Sequence, residues 1–271
     1  MLEIVAGEPI LMGIVNANSD SFSDGGLFPS TSAQLERACE LVDAGAEIID
    51  VGGESASPLT PRQPEAIEIE LVTSLISELS RTRSCFISID TYKPAVAEAA
   101  VAAGAHIVND ISCLRDPGIA EVCVRTNAAL IIMHNRGVPK QRLLASDLYD
   151  DVASEVAGDL EGALERARSA GVRWEQIILD PGLDFSKTPA QTVELLRGLD
   201  HVLKLGRPVL LAISRKDFIG ALTGRAATDR LAGTLAALDY GVRTGAHIFR
   251  VHDVAESAAY VRSLRALSDQ A

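Results

Sequence analysis

Three segments of the chain are near copies of one another: AGAEIIDVGG at 44–53, AGAHIVNDIS at 103–112 and TGAHIFRVHD at 244–253. Each passes from a small-residue turn through branched apolar residues into polar ones. That order describes a helix end, then a buried parallel strand, then functional groups just past the strand's C-terminus. Recurrence of one such unit is the mark of a helix–strand array. Apolar runs bounded by turn signals occur eight times, at 10–16, 47–53, 86–91, 106–112, 129–134, 177–182, 208–214 and 247–253. Most are separated by stretches with helical apolar spacing, such as Val152, Val156, Leu160 and Leu164. Eight strand–helix units in 271 residues favour one α/β domain over 1–271, a (β/α)8 TIM barrel, whose usual size is about 250 residues. A doubly wound open sheet is the alternative, because strand count alone does not prove closure.

In a barrel the active site lies at the C-terminal ends of the strands, so the residues there can be collected by position. They are Asn16, Asp50, Asp90, Asn109 with Asp110, His134, Asp180, Ser214 with Arg215 and Lys216, and Arg250 with His252. Some such residues cap the helix that follows. Yet Asp50, Asp90 and Asp180 stand in or directly after apolar runs, where an unpaired carboxylate is costly. Two carboxylates and an amide (Asp90, Asp180 and Asn109) suit a heterocycle rich in amino and ring N–H groups, such as a pterin or guanine. Lys216 adds a donor for a carbonyl oxygen or ring nitrogen. Arg250 and His252 share one face of the last strand by its period of two, and with Asn16 they can bind a phosphate-like anion. Asn16 is also a candidate ligand for magnesium, a cation that takes oxygen donors together with substrate phosphates. His106 and His247 precede strands at equivalent places in two repeats and read as structural, and His201 as a surface residue. No P-loop or dinucleotide fingerprint is present. The glycine pairs 25–26 and 52–53 read as turns that give mobility to the first two loops.

These segments resemble, in order, the motif set of the dihydropteroate synthases: NANSDSFSDGG at 16–26, DVGGES at 50–55, SIDT at 88–91, NDIS at 109–112, MH at 133–134, DPGLDFSKT at 180–188, SRKDFIG at 214–220 and RVHDV at 250–254. The resemblance spans essentially the whole chain. It implies a pterin-binding barrel that joins 6-hydroxymethyl-7,8-dihydropterin diphosphate to the aryl amine 4-aminobenzoate, releasing pyrophosphate with Mg2+ present, in folate biosynthesis. Carried over by position, Asp90, Asn109, Asp180 and Lys216 hold the pterin, with Asp50 in the DVGG strand beside them. Asn16, Arg250 and His252 form the pyrophosphate and metal end, and Phe22 and Phe185 wall the aminobenzoate site. The implied chemistry is dissociative, with Lys216, Arg250, His252 and Asp90 as the groups that act.

The departures from the family pattern gather on the acceptor side. Ala56 and Ser57 stand where relatives carry a threonine and an arginine, Asp217 where a serine is common, and Asp184 where a glycine is frequent. A carboxylate near a bound carboxylate disfavours it, so a paralogue that binds pterin but uses another acceptor, or is inactive, is the alternative reading. Arg62, nearby in the second loop, is expected to replace the missing arginine if that loop folds back.

The remaining expectations concern partners and compartment. A net charge of −12 without a basic stripe argues against nucleic acid and anionic membranes as partners. No apolar run approaches the roughly 18 residues needed for a membrane span, and the N-terminus is a poor signal peptide. Cys39, Cys85, Cys113 and Cys123 lack CxxC spacing and read as thiols of a reduced, cytoplasmic protein. By the same resemblance the chain is expected to form a homodimer.

Overall fold

The repeat seen in the sequence is a repeated backbone device. In a computed structural model, which describes residue 4 and residues 8–17, 31–55, 60–141 and 143–268, Gly45, Gly104 and Gly245 all have left-handed φ, at 112°, 123° and 99°. Each ends a helix, and the following alanine N–H (Ala46, Ala105, Ala246) bonds back to the carbonyl of Leu41, Ala100 or Gly241 at 2.9–3.0 Å. This is the glycine-closed helix end in which the chain reverses onto its own last turn. The next residue starts the strand: Glu47, His106 and His247 donate to Leu11, Ile87 and Val209.

Among the described residues eight strands form one parallel sheet: β1 (Ile10–Asn16), β2 (Ile48–Gly52), β3 (Phe86–Asp90), β4 (Ile107–Asp110), β5 (Ala129–Met133), β6 (Ile177–Asp180), β7 (Leu210–Ala212) and β8 (Ile248–Val251). Their order is β6-β5-β4-β3-β2-β1-β8-β7. A single bridge between Leu179 and Val209, with Leu179 N donating to Pro208 O at 2.9 Å, joins the two ends. The sheet is therefore a nearly closed (β/α)8 barrel, and the open-sheet alternative falls.

The helices are α1 (Thr31–Asp43), α2 (Glu65–Thr82), α3 (Pro94–Ala103), α4 (Pro117–Thr126), α5 (Val152–Ser169), α6 (Pro189–Arg197), α7 (Asp200–Leu203), α8 (Asp217–Thr223), α9 (Leu231–Thr244) and α10 (Val254–Ser268). Several carry readable start signals: proline at the first position of α3, α4 and α6, which has no N–H to leave without an intrahelical acceptor, and Thr188 with Gln191 as a reciprocal cap of α6, each side chain accepting from the other's backbone N–H. Val152, Val156, Leu160 and Leu164 are buried on α5, as their spacing predicts.

Two apolar clusters follow from strand parity. Outward residues such as Ile49, Ile87, Val108 and Phe249 pack beneath the helices. Inward residues Ile10, Met12, Ile48, Ile107, Ile131, Ile178, Leu210 and Ile248 fill the barrel. Burying each such side chain stabilises by roughly 1.5–3 kcal/mol. The inner cluster occupies only the lower barrel, which leaves the upper inward positions to polar residues.

Candidate active site

The same parity that floors the barrel with isoleucine selects the polar residues above it. Two residues beyond Ile48, Ile107, Ile178 and Ile248 stand Asp50, Asn109, Asp180 and Arg250. Ser88 and Asp90 occupy inward positions of β3, in register with Asp50 and Gly52. Together with Asn16, Phe185 and His252, the groups Asp90, Asn109, Asp180 and Arg250 line one cavity of about 280 Å³ at the C-terminal mouth.

Arg250 organises its floor. Nε donates to Asp50 Oδ2 at 2.6 Å, and Nη2 to Asp90 Oδ2 at 2.9 Å. Asn109 Nδ2 also donates to Asp50, at 3.3 Å. Burial and then the Asp50 charge push the Asp90 carboxyl up, against the pull of Arg250. Burial raises Asp180 to about 6, opposed by the Gly182 N–H, Lys216 and Arg250. Asp50 Oδ1, Ser88 Oγ and Asn109 Oδ1 are buried with no protein partner, and orphaned polar atoms of this kind cost about 1–3 kcal/mol each. Asn109 lines the cavity, so a ligand presenting N–H groups relieves its cost, and the carboxyls of Asp90 and Asp180 give that ligand further acceptors.

Lys216 enters from the loop after β7. Its Nζ donates to Leu183 O at 2.9 Å and lies 4.5 Å from the Phe185 ring centroid. Burial lowers its pKa, with Asp184 and Asp180 opposing. His252 Nδ1 lies 3.0 Å from Ser214 Oγ. Burial, then Arg250 and Arg215, lower its pKa to about 4, so the ring is neutral at pH 7 and presents one N–H. Asn16 is exposed at the rim. Among the described residues no three His, Cys, Asp or Glu side chains are arranged to hold a metal. A single amide oxygen such as Asn16 suits a cation that arrives on a substrate's phosphates rather than a resident one.

Seven expected residues thus meet in one cavity, with Asp50 beneath it and Lys216 beside Phe185. Phe22, Ala56 and Ser57 lie outside the described residues. Arg62 is exposed and does not line the cavity. Two strand-end groups face elsewhere. Asp110, outward on β4, accepts from Ser112 and Leu114 N–H at 2.8 and 2.6 Å, and so shapes its own turn. His134 follows inward Met133 and therefore points outward, to Lys187 and Asp159. The Gly52–Gly53 pair is not a source of mobility. Gly52 ends β2, and a Cβ on Gly53 would come within 2.7 Å of Glu68 and Val72 on α2, so close helix packing demands the glycine.

The structure also uses residues to which the sequence reading gave no role. Glu54 accepts from Gln63 N, Tyr92 Oη and Lys93 Nζ at 2.6, 2.7 and 3.0 Å, pinning the second loop to β3 and α2. Lys140 Nζ ties the fifth loop to Ser55 O and Thr60 Oγ1, both at 2.9 Å. Asp184 Oδ2 accepts from Asp217 N at 2.6 Å, capping α8. Asp217 in turn places Oδ1 3.4 Å from Arg230 Nη1 and does not line the cavity. The signal available for Glu54 and Lys187 was their place inside quoted motifs. Lys93 and Lys140 left none, because their partners are distant in sequence.

Comparison with known proteins agrees with the site. The family model described as "Pterin binding enzyme" matches residues 12–252. The dihydropteroate synthase of Bacillus subtilis is 39% identical over 95% of this chain and 88% of its own length. That of Escherichia coli is 37% identical over 95% and 91%. The chain belongs to the dihydropteroate synthase family. It is a transferase of that type. The family's solved structures superpose closely. The Xanthomonas albilineans enzyme with 4-aminobenzoic acid has a TM-score of 0.89 at 37% identity, covering 96% of this chain and 93% of that one. The Clostridium difficile enzyme, in the presence of pteroic acid, gives 0.90 at 38%, covering 98% and 99%. His106 and His247 match each other as structural residues: their Nδ1 atoms accept from Ile87 and Val209 N–H, both at 3.2 Å. His201 is exposed.

Proposed function

We propose that the chain joins 6-hydroxymethyl-7,8-dihydropterin diphosphate to 4-aminobenzoate, giving dihydropteroate and pyrophosphate, through the cavity described above. The observation that carries this assignment of residues is the convergence of Asp90, Asn109, Asp180, Arg250, His252 and Asn16 on one mouth. Relatives solved with 4-aminobenzoic acid and with pteroic acid support the substrate pair. Asp90, Asn109 and Asp180 accept the pterin's amino and ring N–H groups, the two carboxyls ionising as they do so. Lys216 donates to the ring's acceptor side. Arg250 retains Nη1 beyond its two carboxylate bonds, and with the neutral His252 N–H it holds the diphosphate as the C–O bond to the pterin methylene breaks. Charge developing on the departing oxygens is stabilised by donors already in place. Asn16 would hold a Mg2+ that arrived with the phosphates, and such a cation would supply further charge neutralisation. The cationic methylene left behind is stabilised by Asp90 and Asp180, and the amine then attacks it and gives up one N–H proton to solvent. No protein nucleophile is needed.

Phe185 forms the wall against which the aryl ring rests, with Lys216 at its face. Asp217 turned to Arg230, rather than into the cavity, removes the charge conflict that its sequence position suggested. The same reading takes the chain as a cytoplasmic homodimer. Four free thiols fit a reducing compartment, and exposed Leu222, Tyr240 and Leu267 on α8, α9 and α10 suit a self-association face. The deciding experiment follows pyrophosphate and dihydropteroate together, with and without 4-aminobenzoate. Matched, aminobenzoate-dependent formation of both supports the synthase. Pyrophosphate without dihydropteroate favours the paralogue with another acceptor.

A further inference from the structure

The largest fully buried side chain among the described residues belongs to Lys187, 1% exposed. No carboxylate among the described residues pairs with it. Its Nζ donates instead to three neutral acceptors at 2.9–3.0 Å: Gly182 O, Phe185 O and His134 Nδ1. His134 is held in the accepting orientation because its Nε2 lies 3.0 Å from Asp159 Oδ2, which fixes the proton on that nitrogen. Burying an ammonium among neutral groups is costly. Burial lowers this one to about 7, with Asp180 opposing. Only an ammonium, however, sends three donors from a single point.

The segment it grips is unusual. Gly182, Asp184 and Ser186 alternate in left-handed conformation, with φ of 67°, 63° and 52°. Two of these carry side chains that resist such backbone, and strain of this kind persists only where surrounding bonds over-determine it. Between these residues lie Leu183, whose carbonyl receives Lys216, and Phe185, whose ring enters the cavity. Ser186 Oγ is fixed in turn by Asn135 Oδ1 at 2.7 Å. Lys187 therefore sits behind the loop, touching no cavity residue except through the Phe185 carbonyl, yet setting where the Phe185 ring stands.

We propose that Lys187 is a positioning residue for the aryl amine half of the site, acting through Phe185. The proposal rests on the acceptor-wall reading given above. Without the ammonium the two carbonyls lose their common donor, the strained loop relaxes, and the Phe185 ring leaves its place, while Asp90, Asn109 and Arg250, carried on strands, keep theirs.

The test is a double-mutant cycle of Lys187→Met and Phe185→Ala, reading the KM for 4-aminobenzoate, the dissociation constant for the pterin diphosphate, and the melting temperature. Lys187→Met is expected to raise the aminobenzoate KM about tenfold or more, since small misplacements of positioning groups have effects of that size. Pterin diphosphate binding is expected to change less than about twofold. In the Phe185→Ala background the Lys187 change is expected to have little further effect, because residues acting through one another are non-additive. Additive effects overturn the proposal, as do equal losses for both substrates with a lowered melting temperature, which mark a merely structural lysine. An unchanged aminobenzoate KM in Phe185→Ala alone fails the acceptor-wall reading instead, and with it the route by which Lys187 acts. If methionine at 187 prevents folding, Lys187→Gln, a shorter neutral donor, enters the same cycle.

Discussion

Asp180 and His252 face one cavity with opposite proton preferences, and the pH dependence of binding follows from each. The Asp180 pKa is raised to about 6 by burial, and N–H donors of a bound pterin lower it. Its contribution to affinity is then full above pH 6 and is lost as pH falls towards the pKa in the complex, up to tenfold per unit. The His252 pKa is lowered to about 4 by burial and by Arg250, and a bound diphosphate raises it. That contribution is present below the pKa in the complex and lost as pH rises through it. Below pH 6 the two contributions oppose each other, so pterin diphosphate affinity is expected to fall less steeply with acid than that of the 6-hydroxymethyl pterin without diphosphate, which shows the carboxyl limb alone. Asp180→Asn should make that limb shallower, leaving the share that Asp90 contributes, and an unchanged limb would show that Asp180 does not hold the ring. A second prediction concerns Gly182, where an added Cβ would run into His134 O at a φ of +67°. Gly182→Ala is expected to cost at least about 2 kcal/mol. For a domain of this size that lowers the melting temperature by about 4–8 °C, and a wild-type melt would show that the loop has slack.

At the scale of elements, the loops are held less by their own sequences than by lysines reaching across from neighbouring segments. Lys93, at the start of α3, places Nζ 3.0 Å from Glu54 and 2.6 Å from Glu68. Their side chains are 11%, 6% and 1% exposed, so solvent screens little of this pairing. Lys93→Met strands two buried carboxylates and is expected to cost about 3–5 kcal/mol, measured by urea unfolding. A loss under about 1 kcal/mol, the worth of an exposed pair, would mean that the second loop does not depend on the cluster. These ties explain what the element-level sequence reading missed. Strand positions are specified locally, by period-two alternation, so Asp50, Asp90, Asn109, Asp180 and Arg250 could be found by counting. Loop geometry is specified by contacts such as Lys140 to Ser55, 85 residues apart, and no local pattern announces them.

For the whole molecule, a net charge of −12 is compatible with the proposed anion-binding end, because Arg250 and His252 line one recess with Lys216 beside its Phe185 wall. The proposed dimer is tested at this scale. Sedimentation is expected to find a dimer in the wild type and a monomer for Leu222→Asp, a residue 68% exposed on α8; a wild-type monomer would remove the dimer from the reading. The sequence by itself determined the repeat, the eight strands, the parity that separates floor from site, and the family, because each is written in short-range periodicity or in contiguous motifs. Tertiary structure alone decided that the sheet closes through Leu179 and Val209, that Arg250 bridges Asp50 and Asp90, that Asp217 turns to Arg230, and that Lys187 braces the loop of Phe185. Each of these joins residues far apart in the chain or selects one side-chain direction among several. Neither is encoded locally, since a side chain settles where burial and partner geometry leave the fewest polar atoms unpaired.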